Sequence, residues 1–320
     1  MEFSLCAFIQ PSSLPWTLCS SAALAQTPSL LKIVVPFPPG GAPDIFARLM
    51  GEGIKDAGGP SVVVENRPGA SAIIGTEVVA RAAPDGGTIG VVAPSFLIAG
   101  AVRKLPFDPF KSFEHVCRIL DSPQVVAVNG ASPYKTYEDL IAAAQARPGA
   151  LMVGANGPAT TQHVVAEMVK KASKVEMTFV PFSGASPAVT ALLGNHTNVV
   201  VANYSEVKAF IDSGALRALL VTNPQRIAPL PDVPTAREKG LGFDLTNWFG
   251  IVATGKTPKP ALDAVEAYTR RAIANASISD KLAQVQLTPS VLCGDAFTAF
   301  LKEQNEMFAT IVHEAGIKDE

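Results

Sequence analysis

The sequence predicts an α/β protein of two similar lobes, each a mostly parallel sheet flanked by helices. Three observations lead there. The chain has 320 residues, about twice the ~150 residues of a typical domain. Short apolar runs alternate with amphipathic stretches, the pattern of parallel strands joined by crossover helices. The alternation restarts near the middle, and each half opens on a strand that runs into a Gly/Pro-rich turn.

The elements follow in order. Residues 31–35 are an apolar run of strand length. Ile45, Phe46, Leu49, Met50 and Ile54 then recur about every four residues and predict a helix. Residues 62–64 predict a second strand, 71–82 a second helix and 88–93 a third strand. A loop rich in Pro and Phe leads to a strand at 124–129 and a helix at 136–146. The second half begins with a strand at 151–153 and a helix at 161–172. Strands at 177–180 and 198–202 enclose a helix at 186–193. A helix at 204–213 and strands at 216–221 and 249–253 follow. From Pro260 onward the pattern is helical, with segments at 260–275, 278–286 and 295–314. Gly69-Ala70-Ser71 and Gly184-Ala185-Ser186 each open a helix after a strand, a faint echo between the halves.

Composition narrows the function. Hydrophobic residues make up 48%, charged residues 17%, and the formal charge is −2. The mean hydropathy is +0.26. No basic run matches a nucleic-acid footprint; the pairs Arg103-Lys104, Lys170-Lys171 and Arg270-Arg271 suit solvated faces. No run of 18 apolar residues exists to span a membrane. Residues 1–27 hold no Lys or Arg and end near Ala23-Leu24-Ala25, a small-x-small cleavage pattern. Residues 1–25 are therefore expected to be a secretory signal, atypical in carrying Glu2, Pro11 and Pro15; a cytosolic extension is the alternative. Cys19 lacks the small preceding residue of a lipidation site. Cleavage removes Cys6 and Cys19 and leaves Cys117 and Cys293. An oxidising compartment permits these to pair, but the expectation is two buried free thiols.

Two loops carry the chemistry. The first is Pro36-Phe37-Pro38-Pro39-Gly40-Gly41-Ala42-Pro43-Asp44, between a strand and a helix. Its prolines stiffen the turn and its glycines leave bare N–H donors. Pro43 and Asp44 suit a first helical turn, giving a helix N-terminus open to an anion. The second is Gly154-Ala155-Asn156-Gly157-Pro158-Ala159-Thr160-Thr161-Gln162-His163, placed alike. Thr160 or Thr161 can cap its helix and donate a hydroxyl to a ligand oxygen. Ligands of open α/β sheets bind at the carboxyl ends of strands, so facing lobes would grip one anion from both sides. Four charge-assisted hydrogen bonds supply roughly 6–12 kcal/mol before association costs, and a Kd near ~1 μM needs about 8 kcal/mol. Each loop alone could be only a turn. Asp44 is expected to cap its own helix, with a ligand ammonium or hydroxyl as the alternative. His163 is expected to be packed, with a ligand contact as the alternative.

At these residues the chain resembles the Bug-type receptors of tripartite tricarboxylate transporters. Pro36-Phe37-Pro38-Pro39-Gly40-Gly41-x-x-Asp44 matches their signature loop. In order there follow Val64-Glu65-Asn66-Arg67-Pro68-Gly69-Ala70 with Gly75, Ala83-Pro84-Asp85-Gly86, and Leu105-Pro106-Phe107-Asp108-Pro109. Val180-Pro181-Phe182, Leu230-Pro231-Asp232-Val233-Pro234-Thr235 and Trp248-Phe249-Gly250 complete the series. The resemblance implies a Venus-flytrap periplasmic binding protein with crossing hinge strands near 122–127 and 245–252. Lobe 1 would hold residues 28–124 and 248–320, and lobe 2 residues 125–247. It implies a small carboxylate (a dicarboxylate, tricarboxylate, aromatic acid or acidic amino acid) held by Phe37, Pro38, Pro39, Gly40, Gly41 and Asp44 of lobe 1. From lobe 2 it implies Ala155, Asn156, Gly157, Thr160 and His163, with Ser95 and Asn203 at the cleft edge. Membrane permease subunits are the implied partner, and a monomer without cofactor or metal the implied form. Ala155 stands where the family usually has Ser or Thr, Pro158-Ala159 where it has more glycine, and Ala202 where it often has Asp. These departures point to a less polar, aromatic or longer carboxylate.

An enzyme needs a nucleophile with a base, an acid–base pair or metal ligands. His115, His163, His196 and His313 have no metal-ligand spacing, and there is no Gly-x-Ser-x-Gly, phosphate-binding loop or Cys-x-x-Cys. The sequence predicts no catalysis. A receptor that presents its ligand to a sensor is the remaining alternative to transport.

Overall fold

The computed structural model describes residues 29–317. The predicted signal at 1–25, with Cys6 and Cys19, lies outside the described residues. Leu30–Val35 (β1) pairs in parallel with Ser61–Asn66 (β2) and Thr88–Val92 (β3). Phe113–Ser122 (β4), Asn247–Thr254 (β10) and Thr288–Cys293 (β11) complete a sheet of order β11-β4-β10-β3-β1-β2. The second sheet contains Gln124–Asn129 (β5), Met152–Asn156 (β6), Thr178–Phe182 (β7), Val199–Asn203 (β8) and Leu216–Val221 (β9), in order β7-β6-β8-β5-β9. The helices that matter for the cleft are α1 (Ala42–Asp56), α3 (Ser95–Val102), α5 (Thr161–Ser173), α6 (Ala185–Leu193), α7 (Tyr204–Asp212) and α10 (Asp295–Ala315).

Each sheet is mixed, with most of its strands running one way, and the crossing explains the reversed β5 and β10. β1, β3, β6 and β8 all end at the cleft. A strand arriving from the other lobe starts at the cleft, so it must run the opposite way. β5 and β10 do this and pair antiparallel with β8 and β3 respectively. The chain passes between sheets at Ser122-Pro123-Gln124, where β4 ends and β5 begins. Thr222, just past β9, donates its N–H to the Gln124 carbonyl (3.1 Å) and accepts the Leu245 N–H (2.8 Å). Three connecting segments are thus bonded side by side at the hinge. One buried apolar cluster runs through this region, joining Trp248, Phe297 and Phe308 on one side to Val126, Val153 and Val165 on the other.

Three elements differ from the sequence expectation. α3 and β4 lie in the stretch read as a Pro/Phe-rich loop, and β11 lies in the stretch read as helical. Helix α3 begins Ser95-Phe96-Leu97-Ile98-Ala99, all buried, so it shows no polar face. β4 carries register shifts against β10 that break its alternation. β11 is an edge strand containing Pro289, which period-2 patterning does not reveal. β11 also overturns the expectation of two free thiols. β11 lies antiparallel to β4 with Cys293 opposite Cys117, and the two are joined in a disulfide. The one group of three potential metal ligands among the described residues is this pair with Glu266, and its thiols are already bonded to each other.

Candidate functional site: a cleft between the lobes

The loop from β1 to α1 is shaped by Gly40, whose φ of +81° strains any residue bearing a Cβ. Asp44, the third residue of α1, turns its carboxylate back to accept the Gly40 N–H (2.9 Å). Asn66 donates to the same carboxylate at 2.9 Å and to the Phe37 carbonyl at 3.1 Å. Arg48, one turn on, adds an ion pair at 3.0 Å. Burial alone would raise the Asp44 carboxyl, but the hydrogen bonds from Arg48, Gly40 and Asn66 outweigh it and hold the group below the usual aspartate range. Asp44 therefore pins the loop with its carboxylate engaged by scaffold partners, acting one residue outside an ordinary cap.

The second loop ends on Thr160, the N-cap of α5, which accepts the His163 N–H (3.3 Å) and donates its hydroxyl to the Gly157 carbonyl (2.9 Å). His163 stacks on Phe179 with ring centroids 3.9 Å apart and is buried. Ala155 is buried in β6.

Between the loops lies a cavity of about 300 Å³, at the lower end of the range for small-molecule pockets. Of the residues singled out in the sequence, Phe37, Pro38, Pro39, Gly40, Gly41, Ser95, Asn156, Thr160 and Asn203 line it. Asp44, Ala155 and His163 do not. Gly157 lines an adjoining, more open groove instead. Thr161, the alternative hydroxyl donor, lines it beside Thr160, and sequence reasoning missed Gln162, Glu206, Asn247, Phe249 and the turn at 184–187, all of which line the cavity. Two signals were available. Gly184-Ala185-Ser186 is a third strand-to-helix exit, and Asn203-x-x-Glu206 is a capping-box spacing.

The lobes touch around the cavity. Ser71 donates to the Pro158 carbonyl, and a Cβ at Gly184 would sit 3.2 Å from Pro38. A chain of side chains runs along the back. Thr161 donates to Asn247 Oδ1 (3.0 Å), Asn247 Nδ2 to Asn203 Oδ1 (3.0 Å), and Asn203 Nδ2 to Glu206 Oε2 (3.1 Å). Glu206 also accepts the Asn203 N–H (3.0 Å) and, across the cleft, the Ala42 N–H at the start of α1 (3.5 Å). Burial pushes the Glu206 carboxyl up, against these hydrogen bonds. The Ser95 hydroxyl is buried with no partner among the described residues. The side-chain amides of Asn156 and Gln162 make no hydrogen bond among the described residues. No Lys, Arg or His is among the described residues that line the cavity. The arrangement offers neutral donors, helix ends and the Glu206 carboxylate to a ligand.

A sequence profile of tripartite tricarboxylate transporter family receptors matches residues 46–317. Protein BugT of Bordetella pertussis is 30% identical over 292 residues, 90% of each chain. The structure of periplasmic binding protein BugD superposes with a TM-score of 0.85 at 30% identity, covering 91% of this chain and 99% of that one. R. palustris Rpa4515 with adipate superposes with a TM-score of 0.86 at 27% identity, covering 90% and 98%.

Proposed function

Because the chain belongs to the tripartite tricarboxylate transporter receptor family, we propose that it captures a small carboxylate in the interlobe cleft and hands it to membrane permease subunits. The observation that carries this reading is the cavity wall. Among the described residues it presents the α1 and α5 N-termini, an unpartnered buried Ser95 hydroxyl and two unengaged amides, with no cationic side chain. Helix ends and charge-assisted hydrogen bonds suffice for an anion of this size. Adipate in the R. palustris neighbour supports the ligand class. Phe37, Phe249 and Phe210 add apolar surface around it.

In this reading residues 28–124 and 248–320 form lobe 1, residues 125–247 form lobe 2, and closure about the hinge traps the ligand. The protein acts in the periplasm as a monomer, with residues 1–25 as a removable leader. It binds without turnover.

The test is a thermal-shift screen over di- and tricarboxylates, aromatic acids and acidic amino acids, followed by calorimetry. A true ligand at a hundred times its Kd is expected to add about 2.7 kcal/mol of stability and to be recovered unchanged. Gly41→Leu is expected to abolish binding while the protein still folds. Gly41 has an ordinary φ of −77°, so the new side chain fills the cavity without straining the turn. Full affinity in this variant, or chemical conversion of the ligand, defeats the reading.

A further inference from the structure

We propose that Glu206 selects the ligand's second functional group, so that the cavity takes a carboxylate that also carries an ammonium in preference to a bare di- or tricarboxylate. This rests on the carboxylate-binding reading and adds the class of ligand within it.

Glu206 is the one ionisable side chain among the described residues lining the cavity. The nearby acid, Asp44, is already matched by Arg48. Glu206 has no such cation. Its Oε2 is held by the Asn203 N–H and Nδ2 at 3.0 and 3.1 Å. Its Oε1 meets only the long 3.5 Å contact to Ala42. A carboxylate has about four acceptor positions, so Oε1 keeps room for a stronger donor. The side chain is also fixed. Swinging it away would release Asn203, and with it the chain through Asn247 to Thr161.

The cleft therefore carries a fixed acid with no counter-charge in its wall. A sequestered anion is costly until a cation pairs with it. A ligand ammonium supplies that cation. The ligand's own carboxylate has separate partners in Ser95, Asn156 and Gln162, whose polar groups are unengaged. A second ligand carboxylate placed near Glu206 would instead meet a like charge in a partly desolvated cleft.

The experiment is calorimetry on matched pairs that differ by an amino group: succinate and aspartate, glutarate and glutamate, butanoate and 4-aminobutanoate. The amino member of at least one pair is expected to bind tighter by about tenfold or more, the scale of one charge-assisted hydrogen bond. Glu206→Gln is expected to remove that preference, read as the ratio of the two affinities within each pair. Glu206→Ser, which also gives up the Asn203 contacts, is expected to weaken both members of a pair and still to remove the preference, read as the ratio of their affinities. Thermal unfolding of both variants checks that they fold, and the wild-type ranking needs no variant at all. Equal or tighter binding of the amine-free members by wild type overturns the proposal while leaving carboxylate capture standing. A preference that survives both substitutions also overturns it. Failure of every acid in the screen to bind defeats both readings together.

Discussion

Asp44 shows how one residue can look like a ligand contact and serve the scaffold. Its carboxylate is nearly enclosed and satisfied by Gly40, Asn66 and Arg48. Asp44→Asn keeps the shape and loses the charge, and is expected to cost about 1.5–3 kcal/mol at pH 7, the range for hydrogen bonds to a charged group. The sign of the pH dependence follows from the depressed folded-state pKa. The stabilisation is complete above the unfolded value of 3.8 and fades as pH falls below it through the folded value. Urea unfolding of wild type and variant at pH 7 and at pH 3 is expected to give a gap that shrinks in acid. A gap that stays constant would mean that the ionised carboxylate is not what pins the loop.

At the scale of elements, the site is made where strands stop and helices start. Pro38 in the first loop abuts Gly184, which precedes α6. Gly184 has a φ of 172°, extended backbone open to any residue, so its small size matters here for the close approach of the lobes. Gly184→Leu is expected to wedge the cleft open. Ligand affinity should fall by about tenfold or more, the size of an effect worth 1.4 kcal/mol. The small-angle scattering radius should rise, and the unfolding midpoint should barely move. Unchanged affinity would show that closure does not bring these two turns together.

For the whole molecule, the disulfide and the hinge share a strand. Cys117 lies in β4, which runs directly into the crossing at Ser122-Pro123-Gln124. Its partner Cys293 anchors β11 just before α10. The bond spans 176 residues of sequence, and removing such a link typically costs about 2–4 kcal/mol. The Cys117→Ala, Cys293→Ala double variant is expected to lose that much in denaturant titration. It is expected to keep its ligand affinity, because neither cysteine lines the cavity. An equal stability of wild type with and without reductant would argue that the bond is absent in solution.

The sequence by itself determined the two-lobed α/β plan, the two glycine- and proline-rich turns at strand ends, and most of the residues that line the cleft. These are local properties. Periodicity marks strands and helices, and Gly40, Pro43 and Thr160 act within a few residues of themselves. Tertiary structure decided what depends on distant neighbours. The strand β11 is legible only through its pairing with β4, which is why the thiols of Cys117 and Cys293 were first expected to be free. Asn247 reaches the cavity because the hinge returns it beside Asn203. Glu206 completes the capping box of α7 with Asn203, a local task. The fold alone sets it against α1, 164 residues away in the chain, as the single acid, with no base, among the described residues that line the cavity. Local chemistry is written in local sequence, whereas register across a sheet and contact across a cleft depend on the assembled chain.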